Sequence, residues 1–319
     1  MPENLHGRSV DVELVVVGYR SRPQVAALLA GLPPDLPVAV VDNSDGSDGL
    51  EDLLRGRPHA RYLSGGGIGF GQAATAGVRS SSADVVVFVN PDVRPTAADI
   101  ATLVSDVVDD PRCAASAAVL VEGEDRMQIG IGGWEPTVRR AAVHALGLHK
   151  IWRSAGLFAR PRRGEQLTVD WVSGACMAVR RTTFLELGGF DPDFFVYNED
   201  MAFGRACRER GLRQRLRTDV VVPGTSGGSG APSLEMMRLR GASMTRYLRK
   251  YSSTPTAAAT AALLAVGYSV RALAVRLRGD VARSREHTCY VRGLLTGRAT
   301  VGGRVVTEGR PRPHEPAAA

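Results

Sequence analysis

Four carboxylates stand where an α/β sheet could hold them for chemistry. Asp42 follows the apolar run Val38–Val41, Asp92 follows "VVVFVNP", and the pair Glu199-Asp200 closes the aromatic stretch "FDPDFFVYNED". In open α/β sheets ligands collect at the carboxyl ends of strands. An acid beside a tight turn there can grip a divalent cation, accept a hydrogen bond from a polar ligand edge, or take a proton as general base. Taken singly, each could equally be a turn or helix-cap acid. Between the first two lies "YLSGGGIGFGQAATAG", in which Gly69-Phe70-Gly71-Gln72-Ala73-Ala74 matches G-x-G-x-x-A. With the apolar Val85–Asn90 run and Asp92 behind it, the stretch has the outline of a dinucleotide site, which would make the chain an NAD(P)-dependent oxidoreductase. A dinucleotide fingerprint normally follows a firm first strand. Here the preceding strand, Arg61–Leu63, is short, and two strand–helix units come before it.

The elements that must place these acids alternate. Glu13–Val17 reads as a buried strand, Pro23–Leu32 as a helix, Val38–Val41 as a strand and Leu50–Arg55 as a helix. Arg61–Leu63 is a strand, Gln72–Ser80 a helix, and Val85–Val89 a strongly apolar strand. A helix follows from an N-cap at Thr96 to Val108, and then the strand Ala114–Val121. This βαβα order predicts a parallel sheet with helices on both faces. The stretch Glu122–Thr168 is less regular and holds an arginine cluster, Arg139, Arg140, Arg153, Arg160, Arg162 and Arg163. Regular structure returns with "VDWVSGACMAVRR" and a helix from Thr182 to Leu187. "PGTSGGSGAPS" reads as a linker. Leu234–Lys250 and Pro255–Arg278 read as helices, and "GRPRPHEPAAA" as a disordered tail.

Charge is uneven over the 319 residues. The net charge is +7, but residues 231–319 carry fifteen Lys/Arg against five Asp/Glu, an excess of +10 that leaves the rest at about −3. A basic region on a near-neutral body suggests an anionic surface, a membrane before nucleic acid. Only Lys150 and Lys250 are lysines, so arginine-rich coding could account for the excess without a partner. Cys113, Cys176, Cys207 and Cys289 are far apart and form no C-x-x-C pair, which argues against zinc and a disulfide scaffold. The N-terminal residues lack a signal-peptide layout, so a cytoplasmic protein is expected. "AAATAALLAVGYSVRALAV" is interrupted by Arg271 and weakly apolar, and reads as an interfacial helix or one packed on the body rather than a membrane span.

The ordered motifs "VVVGYRS", "VVDNSDGSDG", "GGGIGFGQAATAG", "VNPDV" and "WVSGACMAVRRTTFLELGGFDPDFFVYNEDMAFGRACRERG" resemble the family 2 glycosyltransferases of GT-A fold, especially their bacterial rhamnosyltransferase-like branch. The resemblance covers roughly Leu14 to Thr225. It implies a GT-A, Rossmann-like, mostly parallel α/β sheet flanked by helices, with a C-terminal helical extension. Residues 1–230 would be the catalytic domain, with a nucleotide-sugar half at about 10–121 and an acceptor half at about 122–230. Residues 231–319 would be a basic helical region with the tail. The implied reaction is inverting transfer of a hexose or deoxyhexose, rhamnose favoured, from a dTDP-sugar or UDP-sugar donor to a saccharide, lipid-linked or natural-product hydroxyl, assisted by Mg²⁺ or Mn²⁺. By resemblance Asp92 holds the metal, Asn90 hydrogen-bonds beside it, and Asp42, Ser44, Gly67, Gly69 and Gly174 meet the nucleotide sugar. Asp200 is the base, and Glu199 orients it or supports its loop. Trp171, Phe190, Phe194, Phe195 and Tyr197 are core aromatics or a sugar platform. The arginine cluster is a solvated face or a contact for an anionic acceptor such as a lipid diphosphate.

The chain departs from the family pattern at Gly67 and Thr75, where Asn is usual, and at Ala202, where an acid often stands. No histidine follows the last strand, and His149 and His287 are distant in sequence. A catalytically degenerate binding protein of the same fold is therefore the alternative to an enzyme. The expected setting is the inner face of the plasma membrane, reached peripherally through an anionic surface. Nucleic acid is not expected, and a homodimer is left open.

Overall fold

The computed structural model describes residues 10–44, 46–123, 126–160, 162–225, 233–301 and 304–306. Most of the expected linker, the 230/231 boundary and the expected tail lie outside the described residues. The first half runs β1 (Val12–Gly18), α1 (Arg22–Ala30), β2 (Val38–Asp42), a 3₁₀ turn (Leu50–Leu54), β3 (Ala60–Ser64), α2 (Phe70–Ser80), β4 (Val85–Val89), α3 (Ala97–Asp109) and β5 (Cys113–Glu122). The strand bounds match the expected ones closely, because the central strands β1, β2 and β4 are largely apolar runs buried on both faces. Glu13 is the exception in β1, and Arg61 of the edge strand β3 covers it with a 2.7 Å ion pair. Thr96 caps α3 as expected, and its hydroxyl and the Asp99 carboxylate form a reciprocal capping box.

The irregular stretch contains the two-residue strands β6 (Arg126–Met127) and β7 (Gly132–Gly133), helix α4 (Val138–Ala145), a 3₁₀ turn (Leu148–Lys150) and strand β8 (Gln166–Val169). Then come β9 (Trp171–Val172), β10 (Cys176–Arg180), α5 (Arg181–Glu186), α6 (Glu199–Glu209) and β11 (Arg213–Pro223). The main sheet has the order β3-β2-β1-β4-β10-β5-β11-β8, with β6 beside β5. Most strands run one way, but β10 lies antiparallel between β4 and β5, and β8 and β6 also pair antiparallel with β11 and β5. The alternation of early elements could not foretell this. The chain reaches β10 after a long excursion from β5, so it enters from the opposite end without a crossover helix. A second correction concerns Glu199 and Asp200. They open α6 rather than end a strand.

Helices α7 (Ser233–Tyr251), α8 (Thr254–Leu277) and α9 (Val281–Thr296) follow, with the small hairpin β12 (Ala299–Val301) and β13 (Arg304–Val306). They pack on the body. Tyr247, Leu248, Leu264 and Leu294 share one apolar cluster with Trp171, Phe194 and Met201. Glycines permit the tight crossings. A Cβ at Gly293 of α9 would fall on the Arg238 carbonyl of α7, and one at Gly267 of α8 would lie 2.6 Å from the Ala145 Cα of α4. Among the described residues α8 alone is long and apolar enough to cross a membrane. Here it rests against α9 and α4.

Polar anchors fix the same seam. Glu135 receives Arg205 (3.1 Å) and Arg208 of α6, and Tyr247 of α7 through its hydroxyl (2.8 and 2.9 Å). Lys250 pairs with Asp191 (2.6 Å) and Asp193 (2.8 Å), and the Tyr251 hydroxyl donates to Asp191 (2.8 Å).

Candidate active site

One cavity of about 1190 Å³ opens over the carboxyl ends of β1, β2 and β4 and continues beneath α7, α8 and α9. Its near wall is built by turns. Gly18 carbonyl accepts from Asn43 N–H (2.7 Å), and the Asn43 side chain accepts from Ile68 N–H (2.9 Å), which joins the β1, β2 and β3 ends. Ser44 accepts from Arg20 N–H (2.7 Å) and donates to Asp48 (3.1 Å), which also takes Ser21 N–H (2.8 Å). Arg20 itself has φ +48°, a left-handed value that a non-glycine residue holds only under such constraint.

Asn43, Ser44, Gly67, Asn90, Asp92 and Gly174 face the cavity. Asp42 and Gly69, expected there too, are not among its lining residues. Asp42 is 0% exposed; one carboxylate oxygen takes Ser44 N–H (2.8 Å) and the other the Tyr62 hydroxyl (3.0 Å). It therefore shapes the turn from below. Gly69 has φ +93°, and a Cβ there would strike the Phe195 carbonyl, to which Phe70 N–H donates (2.9 Å). Its glycine requirement comes from that approach between loops. Thr75, where the family usually has Asn, is also structural: its hydroxyl accepts from Phe190 N–H (3.1 Å).

The acid pair sits across the cavity. Tyr197 and Asn198 hold φ of +71° and +69°, and this double left-handed turn swings Glu199 and Asp200 into the first turn of α6. Left-handed backbone at non-glycine residues costs about 1–3 kcal/mol each and clusters at functional sites. Glu199 is buried against Gly71, with one oxygen lacking a partner. Burial and then the neighbouring Asp200 hold its pKa well above the ordinary carboxylate range, so it keeps its proton. Asp200 is half-buried and more accessible. Burial pushes its pKa up to about 6, while hydrogen bonding from Met201 N–H (2.8 Å) and the charge of Arg240 act in the opposite sense. Asp200 is then the ionised member at neutral pH and the one able to accept a proton.

Of the aromatics, Phe190, Phe194 and Trp171 are core residues, with Trp171 also touching the cavity, and Phe195 and Tyr197 line it. Sequence reasoning missed the far wall. His144, Arg240, Met244, Tyr268, Arg271 and Tyr290 all reach the cavity, as do His149 and His287. The only signals were the basic excess after residue 230 and the arginines of the middle stretch. Arg160 alone of that cluster lines the cavity; Arg140 instead bonds the Ser154 (2.6 Å) and Gly156 (3.1 Å) carbonyls.

Among the described residues no three His, Cys, Asp or Glu side chains gather into a closed metal cage. An open set remains at the β4 end, where Asp92 and Asn90 face the cavity. That suits a hard divalent cation, which takes one or two carboxylates and completes its shell with phosphate and water.

No family model matches the chain. It is 31% identical over 212 residues to an N-acetylglucosaminyl-diphospho-decaprenol L-rhamnosyltransferase of Mycobacterium tuberculosis, a match covering 60% of this chain and 68% of the relative. It is 26% identical to the rhamnosyltransferase WbbL of Escherichia coli over 60% of this chain and 74% of that one. The fold is similar to that of a mannosyltransferase from Pyrobaculum calidifontis solved with GDP-Man and Mn²⁺, with a TM-score of 0.58 and 17% identity, covering 93% and 89% of the two chains. The dehydrogenase outline is thereby set aside, since its glycine loop serves the contact with Phe195 within a different fold family. The chain belongs to the family 2 glycosyltransferases of GT-A fold, in their rhamnosyltransferase-like branch, and is a glycosyltransferase.

Proposed function

We propose that the protein transfers rhamnose, or a related hexose or deoxyhexose, with inversion from a dTDP-sugar or UDP-sugar to a lipid-linked saccharide. The observation that carries this reading is that Asp92, at the sheet end, and Asp200, on α6, line one cavity. The nucleotide lies over Asn43, Ser44 and Gly67, on a turn that Asp42 braces. Its diphosphate reaches the β4 end, where Asp92, with Asn90 beside it, would hold Mg²⁺ or Mn²⁺. When bound, such a cation offsets the negative charge of the departing diphosphate. Asp200 accepts the proton of the acceptor hydroxyl as that oxygen forms its bond to the anomeric carbon. The carbon–oxygen bond to the diphosphate breaks on the opposite face, and the nucleoside diphosphate leaves. Glu199, protonated and buried, supports the Asp200 loop and adds no second negative charge. Phe195 and Tyr197 offer faces for the sugars.

The names of the relatives support rhamnose and a diphospho-lipid acceptor, and the sugar nucleotide in the mannosyltransferase structure supports the donor class and the metal. We place the protein at the cytoplasmic face of a membrane, held peripherally by its basic helices. Residues 1–230 supply the catalytic fold, and the later helices close its acceptor side. A thermal-shift screen of dTDP-rhamnose, UDP-glucose and GDP-mannose, each with and without Mn²⁺, tests the donor. A ligand at 100 times its Kd raises stability by about 2.7 kcal/mol. Stabilisation by dTDP-rhamnose in the presence of metal is the expected result, and none by any of the three sinks the reading.

A further inference from the structure

The part of the cavity walled by α8 and α9 is strongly basic, and no step described so far uses it. Arg160 from the middle stretch, Arg271 and Arg278 from α8 and Arg283 from α9 all line it. Among the described residues none of the four has a carboxylate within ion-pair distance. Arg271 spends its guanidinium on the His144 carbonyl and the face of Tyr268 (5.0 Å). The nearby acid, Asp280, caps α9 by accepting Arg283 N–H (2.9 Å).

Two histidines stand among these cations. His144 and His149 are stacked with ring centroids 4.4 Å apart and are 7% and 4% exposed. The Nδ1 atoms of both, and of His287, have no hydrogen-bond partner. Burial, then the charge of Arg271, drives the His144 pKa down to about 3, and burial and Arg160 lower that of His149. They are therefore neutral. His149 hydrogen-bonds the Val143 backbone, and the His144 ring can present an N–H to an acceptor oxygen. Buried polar atoms without partners are rare in native proteins and call for an explanation. Several uncompensated cations beside neutral donors fit a ligand with many anionic oxygens set close together.

We propose that this end of the cavity, walled by His144, His149, Arg160, Arg271 and Arg283, binds the diphosphate of a lipid-linked acceptor. The inference deepens the function proposed above and rests on it for the direction of the sugar, which would point from this end toward Asp200. The lipid has an exit. Val266, Val270, Leu273 and Leu277 are all exposed and recur at helical spacing on α8. At 3.6 residues per turn this stripe lies about a third of a turn from Arg271 and Arg278 on the same helix. A hydrocarbon chain held by its diphosphate would leave along it.

Farnesyl diphosphate is the probe, titrated by calorimetry into the full chain saturated with dTDP and Mn²⁺. It should bind with one site per chain while dTDP stays bound. Arg160→Ala and Arg283→Ala should each weaken it by about tenfold or more, the effect of losing a hydrogen bond to a charged group. Both should leave dTDP affinity and the unfolding midpoint unchanged, and Arg160→Lys should restore part of the loss. Unchanged affinity in both alanine variants, or displacement of dTDP by farnesyl diphosphate, overturns the site. Inorganic pyrophosphate separates the sources: it should bind more weakly and lose affinity in the same variants. Equal affinity for the two probes would overturn the lipid assignment in favour of a soluble diphosphate. Failure of dTDP and UDP to bind, with farnesyl diphosphate still sensitive to Arg160, would sink the donor reading and leave this site standing.

Discussion

The near wall of the cavity is made by backbone at the ends of β1, β2 and β4, whereas the far wall is made by side chains carried on α4, α6, α7, α8 and α9. Near the sheet, short hydrogen bonds such as Asn43 N–H to the Gly18 carbonyl fix the turns, and small residues face the ligand. Beneath the helices, arginines, histidines, methionines and tyrosines from segments more than a hundred residues apart converge. A sheet end is a general device for nucleotides, positioned by strands buried on both faces. A wall of long side chains on helices can change its charge and shape without disturbing that device. On the function proposed above, the division would put the common chemistry of the donor on the sheet and the choice of acceptor on the helices.

The sharpest way to break this division is at Asp200, which belongs to the helical side yet is the base of the proposed chemical step. Asp200→Asn keeps the size of the side chain and removes its basicity. Transfer should fall by about 10²–10⁴ while the Kd for dTDP changes little. Because the carboxylate must be ionised to take the proton, transfer in the parent protein should be lost as pH falls through about 6. A pH profile that is flat down to pH 4.5, or a variant with full activity, removes Asp200 from the base role.

Asp92 tests the sheet side. Asp92→Ala should abolish the tightening of dTDP binding by Mn²⁺ in calorimetry, since the main carboxylate of the open set is gone. An identical metal dependence in both proteins would mean that the cation is held elsewhere.

Gly293 asks whether the far wall can be loosened alone. A Cβ there meets backbone of α7 and not a flexible side-chain end. Gly293→Ala should cost about 1–3 kcal/mol in urea unfolding, the usual penalty for overpacking. It should weaken farnesyl diphosphate binding and leave dTDP binding intact. Equal loss at both ends would show that the two walls are one cooperative unit.

The smallest effect is expected at the membrane. Vesicles containing anionic lipid should pellet the full chain at low salt, with about 1 kcal/mol for each Lys or Arg near the surface. Leu273→Glu with Leu277→Glu should reduce the bound fraction severalfold, and raised salt should release both proteins. If the parent protein fails to pellet at low salt, peripheral docking is wrong.

The near wall was legible in the sequence because its information is local. The apolar runs Val38–Val41 and Val85–Val89 lead into Asp42 and Asp92, and strand ends are where ligands sit. The same logic put Asp42 at the end of β2, where the structure has it, but could not show that Tyr62 and Ser44 occupy its carboxylate. It also set Glu199 and Asp200 at a strand end, because the left-handed turn at Tyr197-Asn198 uses residues with no glycine to announce it. The far wall was illegible for a different reason. His144, Arg160 and Arg271 meet only through tertiary packing, and a +10 excess in composition says nothing about which arginines face inward. Nothing in the sequence marks the glycines at 241, 267 and 293, and only the crossings explain them.

Those crossings bear on how the protein comes into being on the ribosome. The sheet and its nucleotide turns lie within residues that emerge first, and domains can begin folding as they appear. The far wall needs Gly293 seated on α7 and Gly267 seated on α4. A nascent chain could therefore hold a nucleotide before it had any place for an acceptor.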